Sequence, residues 1–364
     1  MKIRPLNLLG HHRTALEAHF SAMGEKPFHA RQMLKWVHKH GVLDFAGMTD
    51  FGKKLRTRLQ KDYELSLPEI IGERLSADGT RKWLVRIDCG NAVEMVFIPD
   101  GERGTLCVSS QAGCALNCSF CSTAQQGFNR NLSAAEIIGQ LWLADSLMPR
   151  REDGGRPITN VVMMGMGEPL LNFDAVTSAM DLMADALAWG MAKRRITLST
   201  AGIVPKIYEL RERCPVSLAV SLHAPDDALR SELVPVNKKY PIAELMQACR
   251  HYVQGLQRDR ITFEYVMLDG INDSDAHAQA LSRLLRDIPS KINLIPFNPF
   301  PHNSYKRSPQ VRIDAFRGIL LRAGFICITR TPRGDDIDAA CGQLAGNVKP
   351  RSARVAARRG LLNT

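Results

Sequence analysis

No apolar run in this 364-residue chain approaches the twenty or so residues of a bilayer-spanning helix. The opening MKIRPLNLLGHHRTALEAHF has neither the apolar stretch nor the small-residue cleavage site of a secretory leader. A cytoplasmic protein with no membrane partner is expected. Aromatic residues make up 6% of the chain, too few for a sheet that stacks bases on its face. The nine cysteines are odd in number and unevenly spaced, which excludes a disulfide framework and favours metal or redox chemistry. Cys89, Cys214, Cys249 and Cys327 lie in apolar or helical patterns and read as small core residues. Acidic residues are in deficit, 37 against 48 Lys and Arg, for a formal charge of +11. That excess points to a polyanionic partner, nucleic acid first.

A more specific lack concerns three of the cysteines. Cys114, Cys118 and Cys121 form a C-x3-C-x2-C run in QAGCALNCSFCSTAQQG, with no fourth cysteine or histidine close by. A structural zinc ion takes four protein ligands, and a [4Fe–4S] cluster is usually held by four cysteines. Three thiolates leave one iron with an open position, where a small molecule can bind and be reduced. A zinc knuckle completed by a distant ligand is the competing use.

Residues 1–68 read as helical: PFHARQMLKWVHKH spaces Phe28, Met33, Leu34 and Val37 at near-helical intervals, and FGKKLRTRLQKDY is basic and amphipathic. This region is expected to be a small accessory domain, either a solvated cap or an RNA-binding appendage. RKWLVRID and AVEMVFIPD, separated by Cys89-Gly90-Asn91, predict a β-hairpin within a linking segment at 69–103. Over 104–346 strand-like and helical runs alternate. The strands are GTLCVSSQ, NVVMMGMG, RRITLSTAG, VSLAVSLHA, RITFEYVML and KINLIPFNP. Ser133 to Glu136 is a capping box, and Pro205 and Pro241 suit first helical turns. Six β-α units predict an α/β fold with a parallel sheet and right-handed crossovers, as a partial barrel or a doubly wound sheet. A basic tail, expected to be mobile, occupies 347–364.

Ligands of parallel α/β folds bind at the carboxyl ends of the strands. Gly165, Met166, Gly167 and Glu168 end the second strand, where glycines let backbone approach a ligand closely and a carboxylate can receive an ammonium group. Ser199 ends the third, Ser221, Leu222 and His223 the fourth, and Asn298 the sixth. As a set on one rim they read as ribose and carboxylate contacts. Cys107 precedes the cysteine loop. Cys341 follows the turn PRGDD in a non-apolar loop, a setting suited to a nucleophilic thiolate.

The cysteine run in this position resembles the radical S-adenosylmethionine (SAM) superfamily. The runs LCVSSQAGCALNCSFCSTAQQGFNRNL, NVVMMGMGEPLLNFDAV, ITLSTAGIVPKIYEL, LAVSLHAPDDALRSELVPVNKKYP, NLIPFNP and PRGDDIDAACGQLAG together resemble the bacterial 23S rRNA adenine-C2 methyltransferase family, over about residues 26–346. The resemblance implies a partial (β/α)6 radical SAM barrel, one [4Fe–4S] cluster on Cys114, Cys118 and Cys121, and SAM contacts from Gly167, Glu168, Ser199, Ser221, Leu222, His223 and Asn298. It implies methylation of C2 of adenine 2503 in 23S rRNA and of adenine 37 in a subset of tRNAs, with two SAM molecules consumed per methyl. Cys341 would be methylated and, after hydrogen abstraction by a 5′-deoxyadenosyl radical, joined to the base. Cys107 would resolve the thioether by attack on Cys341, and Glu94, in AVEMVFIP, would take the C2 proton. The implied partners are 23S rRNA, tRNA and an electron donor such as flavodoxin, with the chain a monomer. The N-terminal region, Lys193-Arg194-Arg195 and the tail are candidates for phosphate contacts. A related adenine-C8 methyltransferase, of the antibiotic-resistance type, shares the cluster and both extra cysteines. A zinc-bearing RNA-binding protein is the non-enzymatic alternative.

Overall fold

The computed structural model describes residues 5–87, 90–255, 260–301 and 303–348. Cys89, read as a core residue, and most of the basic tail lie outside the described residues.

Ten strands form one sheet. In chain order they are β1 (Glu69–Leu75), β2 (Arg81–Arg86), β3 (Ala92–Asp100), β4 (Arg103–Cys107), β5 (Asn160–Met163), β6 (Ile196–Thr200), β7 (Ser217–Ser221), β8 (Ile261–Met267), β9 (Ser290–Pro296) and β10 (Ile326–Thr329). Their order across the sheet is the order in sequence. From β4 to β10 every pairing is parallel. A doubly wound sheet reverses direction at a switch point; this one does not, so crossovers of one hand put their helices on one side and curl the sheet into a partial barrel. Seven parallel strands are present rather than six, because the last helix leads into β10. That strand escapes a search for apolar runs because it is four residues long and exposes Ile326 and Ile328.

The crossover helices are apolar on the face that meets the sheet. One, Ala134–Leu147, opens on the capping box: Ser133 Oγ accepts from the Glu136 amide (3.1 Å), and the Glu136 carboxylate accepts from the Ser133 amide (2.8 Å). β8 is buried at every position, as expected for a strand in the middle of a covered sheet. Cys214, Cys249 and Cys327 are buried in the core.

The predicted hairpin is the antiparallel pair β2–β3, and it is not a separate appendage. It continues the barrel sheet, because β3 pairs with β4 and β1 adds a further antiparallel strand. Ahead of it, helices Arg13–Ala22, Phe28–Leu34 and Lys53–Asp62 pack around Leu16, Phe20, Met33, Leu34, Leu55 and Leu59. Arg13 binds Asp185 through two hydrogen bonds, and Arg156 stacks on Trp189 at 3.8 Å while donating to the His38 carbonyl, so this layer is fastened to the barrel wall.

Candidate active site

The cysteine loop is closed at its base by a short antiparallel ladder between Gln111–Gly113 and Phe128–Asn131. Gly113 has φ +74°, and a Cβ there would lie 1.7 Å from the Gly127 carbonyl oxygen, so the ladder can close only on glycine. Above it a cavity open to solvent is lined by Cys114, Cys118 and Cys121 together with Gly165, Gly167, Glu168, Ser199, Ser221, His223, Asn298 and Cys341. Ten of the residues picked out at the strand ends and in the loops thus meet at one mouth, Gly165 aside. Leu222 stands apart from these: its side chain is fully buried in the core, so only its backbone can face the cavity. The two-residue period explains this, since Ser221 and His223 face inward and Leu222 between them turns away. Its carbonyl accepts from Arg230.

At the end of β5, Gly167 has φ +98°, and a Cβ would fall 2.4 Å from that of Gln111. The tight turn lays Glu168 across the barrel. Its carboxylate accepts from the amides of Leu170 (3.1 Å) and Ala201 (2.8 Å). Burial pushes its pKa up to about 7 despite these donors. His223 has φ +62°, and its Nδ1 accepts from the Val266 amide (3.0 Å), which leaves the proton on Nε2. Burial, then Arg230, push its pKa down to about 3, so the ring is neutral.

Three side chains that no motif marks support the cavity, and one of them, Glu264, lines it. Arg230 is fully buried and donates to the carbonyls of Leu222, Ala201 and Ser221 and to Asn237 Oδ1, tying the ends of β6 and β7 together. Glu264, on β8, lines the cavity and accepts from Asn293 Nδ2 (2.9 Å) and from Arg330 (3.2 Å). Arg230 sits in a charged helical run that reads as solvent-facing, and Arg330 in a loop without a motif. Glu264 carried a signal: a lone carboxylate inside the apolar run ITFEYVM.

The loop bearing Cys341 roofs the cavity through contacts made on every side. Asn298 Nδ2 donates to the Cys341 carbonyl (3.3 Å), the Ser122 amide to that of Gly342 (2.8 Å), and Gln343 Nε2 to that of Pro299 (3.0 Å). Thr123 Oγ1 donates to the Leu344 carbonyl (2.6 Å). Asn347 pairs with Ala92. Glu94 is not part of the cavity lining: its carboxylate bonds Lys82 Nζ (3.1 Å) and the Ala345 amide (2.9 Å), holding the same roof from the sheet side.

Cys107 is buried at the end of β4, and burial together with neighbouring Cys341 pushes its thiol up to about 12. Cys341 is solvent-accessible, with its thiol also raised by its surroundings while Arg330 acts in the opposite direction. Burial works against the charge on Arg330; Glu264, Cys341 and Cys107 outweigh it and raise the guanidinium pKa. Cys107, Cys341, Glu264 and Arg330 therefore form one electrostatic neighbourhood. None of the described cysteines is disulfide-bonded.

Burial also raises the thiol pKa of Cys114, to about 12, and those of Cys118 and Cys121, so these sulfurs ionise at neutral pH only against a strong Lewis acid. The three thiols line one cavity, a donor set that suits three corners of a [4Fe–4S] cluster. Lys193–Arg195 form a turn leading into β6, at the end of the sheet opposite this mouth.

A three-cysteine loop at the carboxyl end of a parallel partial barrel is the site of a radical SAM enzyme, and residues 108–280 match the radical SAM superfamily. The superfamily's domain implies a [4Fe–4S] cluster and SAM. Residues 6–65 match the ribosomal RNA large subunit methyltransferase N-terminal domain. The chain is 43% identical to a radical SAM methyltransferase from Sphaerobacter thermophilus, with a TM-score of 0.85, covering 93% of this chain and 99% of that one. It belongs to the radical SAM methyltransferases. SuiB of Streptococcus suis, solved bound to S-adenosylmethionine, is 13% identical, with a TM-score of 0.46 over 62% of this chain and 50% of that one. No described helix is long and apolar enough to cross a membrane.

Proposed function

We propose that the chain methylates C2 of adenine in RNA, at adenine 2503 of 23S rRNA and adenine 37 of certain tRNAs. The observation that carries this reading is the pairing of Cys107 and Cys341, two unbonded thiols in one electrostatic neighbourhood, with Cys341 on the wall of the cavity that holds the three-cysteine loop. The match to a ribosomal RNA methyltransferase N-terminal domain supports an RNA substrate. C2 of adenine is electrophilic and cannot attack a sulfonium methyl group, so a methylase for it needs a protein-borne carbon and a means of release. When bound, the cluster and SAM supply a methyl group and a hydrogen-abstracting radical.

In this reading Cys341 takes up the methyl group and carries its carbon to the base, held at the rim by Asn298 and the Gly342 carbonyl contact. Cys107 releases the product by attacking the Cys341 sulfur, forming a disulfide that a thiol reductant must then open. Glu94 takes the C2 proton; in support, its carboxylate accepts from the Ala345 amide, on the loop that bears Cys341. Glu168 receives the ammonium of SAM, and Ser199, Ser221, His223 and Asn298 supply its remaining polar contacts. Nucleoside analysis of rRNA and tRNA from cells with and without the gene tests the proposal. The expected difference is 2-methyladenosine; 8-methyladenosine as the sole product would refute it.

A further inference from the structure

Two carboxylates line the cavity. Glu168 lies with the cluster cysteines, acting on Cys114 and Cys118. Glu264 lies with the other two thiols: it acts on Cys341, and its partner Arg330 acts on both Cys341 and Cys107. Glu264 is almost fully buried, and its two oxygens differ. Oε1 accepts from Asn293 and Arg330, whereas Oε2 is buried and, among the described residues, has no hydrogen-bond partner. A buried charged acceptor left without a donor is costly and calls for an explanation. Glu264 lines the cavity, so a rotation of its carboxylate would bring this covered oxygen to a donor on a bound molecule.

Resting on the adenine reading above, we infer that Glu264 is the specificity residue for the target base, its free Oε2 accepting a hydrogen bond from the 6-amino group of the adenine. Enzymes that act on a base take it from the stack and read its Watson–Crick edge. On that edge C6, N1 and C2 follow one another. A base gripped at Glu264 through the amine hydrogen on its N1 side has N1 and C2 next in line toward Arg330 and Cys341, whereas C8 lies on the other ring. The hydrogen bond thus selects the base. SAM also carries an adenine; its proposed ammonium partner, Glu168, acts on the cluster cysteines Cys114 and Cys118.

The test uses the cluster-loaded protein and RNA stem-loops bearing adenosine, purine riboside (no amine) or inosine (a carbonyl in place of the amine) at the target position. A site built to hold an N–H rejects the analogue lacking it. The wild type is expected to prefer adenosine over purine riboside by about tenfold or more in kcat/KM, the worth of one hydrogen bond to a charged acceptor. Glu264→Gln keeps an oxygen for Asn293 and Arg330 and turns its amide N–H toward the cavity. It should lose adenosine turnover, gain on inosine and invert their ratio, with SAM affinity by equilibrium dialysis unchanged. An E264Q enzyme with the wild-type adenosine-to-inosine ratio would overturn the inference; reduced SAM affinity with that ratio intact would assign Oε2 to the cofactor instead. The methylated carbon, identified in the wild-type product, tests the C2 reading separately.

Discussion

Arg230→Met removes the guanidinium behind the cavity wall, and its cost can be worked out from the contacts. Four acceptors lose their donor: the carbonyls of Leu222, Ala201 and Ser221, and Asn237 Oδ1. A buried acceptor left unpaired costs about 1–3 kcal/mol, so the gross loss is about 4–12 kcal/mol. Against it stands the cost of burying the charge. Desolvation lowers the pKa of Arg230 from 12.5 to about 10, which corresponds to about 3 kcal/mol in favour of removal. The net, about 1–9 kcal/mol, brackets the roughly 3–5 kcal/mol typical of breaking a buried charged network. Urea unfolding of the anaerobically purified variant, with the iron–sulfur absorbance followed in parallel, measures it. SAM affinity should fall as well, because the ends of β6 and β7 lose their common tie. A variant within about 1 kcal/mol of the wild type would show that these carbonyls are satisfied without the arginine.

Other consequences are as direct. His38 is buried, and burial followed by Arg156 push its pKa down to about 3. The unfolded chain, titrating near 6.5, binds more protons than the native state between those values, so stability falls as the pH drops through this window, by about 2 kcal/mol from pH 6.5 to 5. His38→Leu should flatten that dependence in urea titrations at several pH values. Gly167→Ala, forced into φ +98° against Gln111, should cost about 1–3 kcal/mol by the same titration and weaken SAM binding by dialysis. Cys341→Ala should retain the cluster spectrum and lose all turnover; methylated RNA from that variant would remove the methyl-carrier role.

Much of the site could be read before any coordinates because it is local in sequence. The cysteine loop, the Gly165–Glu168 turn and the strand-end Ser199, Ser221, His223 and Asn298 each sit where a parallel strand stops, and parallel topology gathers strand ends. What could not be read is what distance in sequence hides. Arg230 reaches Ala201, 29 residues away, and Glu264 meets Arg330 across 66. No period or spacing encodes such pairs. Leu222 illustrates a different limit: a motif read as a block does not show that alternation turns every second side chain into the core. β1 and β10 were missed because edge strands alternate with exposed or charged residues and lack the apolar signature of central strands.

In the proposed reaction Cys341 carries carbon to adenine C2 and Cys107 releases it. The most direct measurement is mass spectrometry of Cys107→Ala protein isolated from cells and digested with nuclease and protease. The prediction is a peptide in which Cys341 is joined through one methylene to C2 of adenosine. A Cys107→Ala protein that carries no such adduct, or that releases methylated RNA at the wild-type rate, would contradict it.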